Sequence, residues 1–261
     1  WVLDKTQTPM GARMMGSWIK TPLQDIDKIN YRLDGVEELF KNPLLRSGVT
    51  EQLKFIRDTE RIAGKISNGN INPKDCLILG DSLSALPNVK LQLFGVSSKI
   101  LNDINDNIGD FGELASLLRN AIDPEASSIT KDGGYIKKGF DSELDRLRSI
   151  KENSSTLLRE MEAKEREATG IKTLKINFNR VFGYYIEVTN SFKNLVPYNY
   201  IRKQTLAGAE RYITEDLKKL ETEILSSNEQ SIRIEADLFA KIKQVLADNV
   251  KKIQRTSKSI A

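Results

Sequence analysis

A charged helical pattern that stops at Ala168-Thr169-Gly170, gives way to β-patterned sequence over residues 170–214, and resumes after Thr214 constrains this chain more than any other feature. A chain that leaves one long helix, folds a short β segment and enters a second long helix must build a small sheet on a helical stalk. Leu174, Ile176 and Phe178 alternate with Lys175, Asn177 and Asn179. Period two puts the apolar trio on one face of a strand and the amine and amides on the other. Residues 180–183 read as a turn, because Gly183 supplies backbone freedom after an Asn-rich stretch. A second strand follows, with Tyr184, Ile186 and Val188 on one face and Tyr185, Glu187 and Thr189 on the other. Residues 200–206 and 210–213, on either side of Ala207-Gly208-Ala209, read as a second hairpin. The expectation is four short strands in a one-sided antiparallel sheet.

The charge of this segment is lopsided. Lys172, Lys175, Arg180, Lys193, Arg202, Lys203 and Arg211 stand against Glu187 and Glu210, a net of +5, whereas the whole chain is only +4. The rest of the chain is therefore slightly acidic. A basic sheet face with interleaved amides and hydroxyls has the composition for phosphate contact, because Lys and Arg supply charge and Asn, Gln and Thr supply short donors. The candidate phosphate-contacting residues are Lys175, Asn177, Asn179, Arg180, Lys193, Arg202, Lys203, Gln204 and Thr205. The alternative is a merely solvated strand face, and charge alone does not separate the two.

The flanks explain the stalk. Asp141 is an N-cap for a helix over 142–168, with Glu143 and Asp145 at the positive end of its dipole and apolar positions at Leu144, Leu147, Ile150, Leu157, Leu158 and Met161. At 1.5 Å per residue such a helix is roughly 40 Å long. The return helix starts after Thr214 and carries Leu217, Leu220, Ile224, Ile234, Leu238, Ile242 and Val245 at three- and four-residue spacings. Two narrow apolar stripes joined by an insert that reverses the chain predict an antiparallel helix pair. A two-helix piece of an ordinary bundle is the competing reading.

Gly and Pro are sparse in the chain as a whole, and within residues 1–136 helices are predicted at 10–19, 26–40, 44–55, 57–66, from Pro73 toward Leu86, 91–101 and 111–122. The fold class is thus mainly α: a helical core with a long antiparallel helix pair carrying a small inserted antiparallel sheet. Cys76 is the only cysteine and there is no histidine. An intrachain disulfide, a Cys-based zinc site and Ser-His or Cys-His nucleophiles are excluded. Gly64-Lys65 lacks the preceding Gly of a phosphate loop and is followed by Ile66. No membrane segment, no resident cofactor, no metal and no catalytic residue is expected, and a reducing, cytoplasmic setting fits.

These residues carry a resemblance. Trp1-Val2-Leu3-Asp4, Thr8-Pro9-Met10-Gly11-Ala12-Arg13, Arg32-Leu33-Asp34-Gly35-Val36-Glu37-Glu38-Leu39, Arg57-Asp58-Thr59-Glu60-Arg61 and Gly139-Phe140-Asp141-Ser142-Glu143-Leu144-Asp145 occur in the order found in the MutS family of bacterial DNA mismatch repair proteins. The most specific pieces are Arg166-Glu167-Ala168-Thr169-Gly170-Ile171-Lys172, Phe182-Gly183-Tyr184-Tyr185-Ile186, and Tyr200-Ile201-Arg202-Lys203-Gln204-Thr205-Leu206 with Ala209-Glu210-Arg211-Tyr212-Ile213. The resemblance implies a helical core over 1–136, an ascending lever helix over 137–169, a clamp over 170–214 and a descending lever helix over 215–261 that returns to the core. It further implies that the clamp closes on the backbone of double-stranded DNA without reading sequence. The parent would be a homodimeric ATPase that uses ATP and Mg2+ and binds the MutL repair protein. The chain starts and stops inside the family pattern, which predicts an excised, non-enzymatic fragment.

Two departures qualify the resemblance. Gly208 stands where the family often has Asn at or beside the hairpin tip, which predicts one polar contact fewer. The mismatch-probing Phe-x-Glu of the family has only a decoy here, Phe111-Gly112-Glu113 in the helical region. A coiled-coil arm whose β tip binds a protein stays open as the alternative, sustained by Tyr198 and Tyr200.

Overall fold

Capping signals start most of the helices. In the computed structural model, which describes residues 3–261, Thr8 accepts the Gly11 N–H at 3.0 Å ahead of Pro9 to open α1 (Pro9–Lys20). Asp25 caps α2 (Ile26–Lys41) and Asn42 with Pro43 opens α3 (Pro43–Leu53). Asp58 caps α4 (Thr59–Ser67). Asn72 and Asp75 form a reciprocal capping box for α5 (Pro73–Gln92), satisfying two orphan N–H groups at once. Then follow α6 (Lys99–Asn107), α7 (Gly112–Ala121), α8 (Ser142–Thr169), β1 (Lys175–Asn179), β2 (Gly183–Thr189), a 3-10 turn (Asn190–Leu195), β3 (Ile201–Thr205), β4 (Ala209–Ile213) and α9 (Glu215–Ser259). The architecture is mainly α with a small inserted antiparallel sheet, as expected from the sequence.

One helix expected from the sequence is absent. Residues 91–101 do not form a single helix: α5 continues past Leu86 to Gln92, and α6 begins only at Lys99. Gly95 at φ +78° breaks the run, and the Ser97 and Ser98 N–H groups are each accepted by the Glu38 carboxylate at 2.7 Å. A carboxylate from α2 thus holds the turn that leads into the new helix, which a local pattern cannot show. Pro87 sits within α5 on an exposed position.

The chain divides into two compact units, one comprising Trp1–Phe140 and Glu235–Ala261 and the other Asp141–Ile234. In the first, α5 buries a broad face through Cys76, Leu79, Leu83, Leu86 and Val89. Gly80 permits α5 and α7 to approach closely, since a Cβ there would lie 3.2 Å from that of Leu118. Burial pushes the Cys76 thiol up to about 12, which leaves it protonated and unreactive at neutral pH. Phe111 of the decoy motif is a core residue of this unit.

In the second unit, Asp141 accepts the Leu144 N–H at 2.9 Å to start α8, and Gly170 ends it in the left-handed region at φ +71°. Thr214 accepts the Leu217 N–H at 3.2 Å to start α9. Leu158 and Met161 of α8 pack against the cluster holding Leu217 of α9, while Arg146 lies within electrostatic reach of Glu223. Descending numbers on one helix thus match ascending numbers on the other, so the two run antiparallel. The strands are ordered β1-β2-β4-β3, all antiparallel, with β1 and β3 at the edges. Among the described residues no helix is long and apolar enough to cross a membrane.

Candidate nucleic-acid interface

Register divides the sheet into two chemically different faces. Ile176, Ile186 and Tyr212 are cross-strand partners on the inner face. There Ile186 and Tyr212 join Ile171, Leu174, Val188, Tyr200 and Leu217 in the buried cluster. Phe178 belongs to the same alternation but is 54% exposed, resting edge-on against Tyr184 with 5.0 Å between centroids. The apolar core therefore ends short of the β1–β2 turn.

The other face carries a row across all four strands: Lys175, Glu187, Arg211 and Gln204. Arg211 donates to Glu187 at 3.1 Å and to the Gln204 Oε1 at 2.9 Å, and its guanidinium lies 4.4 Å from the centre of the Tyr185 ring. Phe182 meets the same ring edge-on. Tyr185 is on the polar face, as expected, yet it is buried, because a guanidinium and an aromatic edge cover it.

A second cluster forms around Glu210, whose side chain is only 3% exposed. It accepts from Lys193 Nζ at 2.5 Å, from Arg202 Nη1 at 3.4 Å and from the Tyr212 hydroxyl. The Lys193 bond, then that of Tyr212, holds the carboxyl below the usual carboxylate range against the opposing effect of burial. Burial first, then Glu210, pushes Tyr212 up to about 12. Arg202 reaches this cluster because a β-bulge intervenes: Arg202 is opposite Tyr212 whereas Gln204 is opposite Arg211, leaving Lys203 as the extra residue. A bulge turns one side chain away from the ladder.

The nine candidate residues therefore separate into two groups. Lys193 and Arg202 neutralise Glu210, Gln204 is bonded to Arg211, and the Asn179 Oδ1 accepts the Val181 N–H at 2.7 Å in the β1–β2 turn. Lys175, Asn177, Arg180, Lys203 and Thr205 are exposed. Among the described residues, Lys175, Arg180 and Lys203 make no ion pair. Lys172, exposed in the turn ahead of β1, is a fourth such cation. It lies outside the strand alternation from which the candidates were chosen, and only its count in the segment charge pointed to it. At the opposite hairpin tip, the Asn190 amide donates to the Ala207 carbonyl at 3.0 Å and the Asn190 N–H to the Gly208 carbonyl at 3.1 Å. Polar bonds close this loop without a side chain at Gly208.

The sequence that builds this sheet and its helices is similar to those of known proteins. The MutS domain III family matches residues 1–261. A protein described as DNA mismatch repair protein MutS from Lachnoclostridium phytofermentans is 47% identical over the whole of this chain, which covers 28% of that protein. The namesake from Caldicellulosiruptor bescii is 47% identical, with 100% of this chain and 30% of that protein covered. That from Methanosarcina barkeri is 44% identical, with 99% and 29% covered. The chain thus spans under a third of the length of the curated relatives it matches. With a family match from its first residue to its last, the chain belongs to the MutS domain III family.

Proposed function

We propose that this chain acts in DNA mismatch repair as the part that grips the backbone of double-stranded DNA. Residues 170–214 form the clamp, 137–169 and 215–261 the lever, and 1–136 the helical core. The observation that carries this reading is the set of four exposed cations, Lys172, Lys175, Arg180 and Lys203, without ion-pair partners among the described residues. The remaining cations of the segment, Lys193, Arg202 and Arg211, are held by its two glutamates. Unpaired surface cations on a rigid sheet release counterions from DNA on contact and do so without regard to base sequence. In the parent protein this grip would serve a homodimeric ATPase that uses ATP and Mg2+ and binds MutL in the cytoplasm.

Duplex DNA titrated against the protein at two salt concentrations tests the reading. Binding is expected with a dissociation constant of about 10⁻⁴ to 10⁻⁶ M at physiological salt, weakening steeply as salt rises. A homoduplex and a G·T duplex should bind alike, and a tenfold preference for the mismatch would overturn a backbone-only grip. A second reading, a protein-docking tip, rests on Tyr198, which is fully exposed near the exposed Leu195 and Ile201. Salt-insensitive or absent DNA binding would favour it.

A further inference from the structure

The sheet is fastened to the two helices by carboxylates. On the free edge of β1, the Ile176 N–H donates to Glu162 Oε2 at 2.8 Å, and the Leu174 carbonyl accepts from Arg166 Nε at 2.6 Å. Glu162 and Arg166 are themselves ion-paired at 2.7 Å. Four helical residues rise about 6 Å, and two strand residues span about 6.7 Å. An acceptor and a donor at i and i+4 on a helix therefore match a donor and an acceptor two residues apart on a strand edge. The pair Glu162 and Arg166 stands in for a neighbouring strand. Two further attachments complete the joint. Glu165 Oε2 accepts the buried Tyr200 hydroxyl at 2.5 Å, and Glu221 Oε1, from α9, accepts the Tyr184 N–H at 3.0 Å.

We infer that Glu162, Glu165 and Glu221 are positioning residues that fix the tilt of the sheet on the helix pair, and with it the placement of its unpaired cations. Three attachments, to β1, to the start of β2 and to Tyr200 ahead of β3, define a plane, so together they remove the rotational freedom that a single attachment would leave. None of the three carboxylates is a candidate phosphate contact. The consequence for DNA rests on the backbone-grip reading above; the joint itself does not.

The sign of an affinity change separates positioning from charge. Replacing the three glutamates by Gln or by Ala adds the same three units of positive charge, which on electrostatics alone strengthens DNA binding. Only the Ala set removes the acceptors. The expected result is that Glu162→Gln, Glu165→Gln, Glu221→Gln binds duplex DNA at least as tightly as the parent, whereas the Ala counterpart binds about tenfold more weakly despite its added charge. Spin labels at Ser155→Cys on α8 and Ala207→Cys in the β3–β4 loop supply an arm that needs no DNA. One narrow distance is expected in the parent and the Gln set, and a broadened or displaced one in the Ala set. An unchanged distance in a folded Ala set overturns the joint. A changed distance with undiminished affinity overturns its role in placing the grip. Should the triple Ala set fail to fold, Glu162→Ala against Glu162→Gln decides the matter, and identical distances in the two overturn the inference.

Discussion

The two compact units reach order by different means. The unit built on α5 buries Leu79, Leu86, Leu118, Ile122 and Ile242, with Asp75 and Glu235 as its buried carboxylates, and ion pairs such as Arg119 with Asp81 lie at its surface. The unit carrying the sheet has only a small apolar cluster, and polar contacts carry a larger share of its order: a buried glutamate with two cations, a guanidinium over a tyrosine, and helix carboxylates on strand edges. A small sheet covered on one face cannot bury much apolar area, so specific polar contacts must fix its geometry. The same economy divides its cations into those that hold the sheet and those left for a ligand.

The comparison is most exposed to a pair of truncations. Leu118→Ala, in the fully buried α5–α7 contact, should cost about 2–5 kcal/mol through lost burial and a cavity. Phe178→Ala removes a larger side chain from the sheet but one that is half in solvent, and should cost under about 1 kcal/mol. Thermal unfolding of the two variants measures the difference. Comparable losses would mean that the sheet face is packed far more tightly than its exposure indicates.

A smaller effect is expected where the sheet meets α9. Gly183 has φ +77°, and a Cβ there would collide with the Glu221 carboxylate that accepts the Tyr184 N–H. Gly183→Ala should therefore cost about 1–3 kcal/mol, from left-handed strain together with displacement of Glu221. Chemical denaturation checks this, and a neutral substitution would show that the β1–β2 turn is free to move. Acid tests the buried glutamate. Because the folded-state carboxyl of Glu210 is depressed, its stabilisation is fully present above the ordinary carboxylate range and is lost as pH falls through the depressed value. Glu210→Gln should be less stable than the parent at pH 7 and lose less on going to pH 3. Parallel losses in the two proteins would remove Glu210 from the acid response.

Much of the fold was legible because it is local. The caps at Asp141 and Thr214, the stop at Gly170 and the alternation through Ile176, Ile186 and Val188 placed both long helices and all four strands within a few residues. The failures were of two kinds. The break between α5 and α6 falls at Gly95, and the turn after it is held by Glu38, distant in sequence, which accepts the Ser97 and Ser98 N–H groups. In the candidate site, strict period two cannot anticipate the bulge at Lys203, which sends Arg202 and Gln204 to opposite faces. Nor can composition show which cations are already neutralised. Lys193 and Arg202 look identical to Lys175 and Lys203 in a charge count, yet they differ by a buried carboxylate at Glu210.

That difference gives the finest test. Lys175→Ala, Arg180→Ala and Lys203→Ala each delete an unpaired cation, so each should lower the slope of log affinity against log salt by roughly 0.9 if one counterion is released there. At physiological salt such a loss is about fivefold in affinity, or about 1 kcal/mol. Arg211→Ala deletes the same formal charge, but from a residue already bonded to Glu187 and Gln204 and stacked over Tyr185. Its removal uncovers a buried ring and leaves Glu187 unpaired, so it should lower the melting temperature while changing the salt slope less than Lys175→Ala does. The two substitutions thus trade places between two measurements, a salt titration and a thermal melt. If Arg211→Ala and Lys175→Ala change the slope equally, ion pairing within the sheet does not withdraw a cation from DNA. Unchanged binding in the triple variant of Lys175, Arg180 and Lys203 would move the grip to another surface of the molecule.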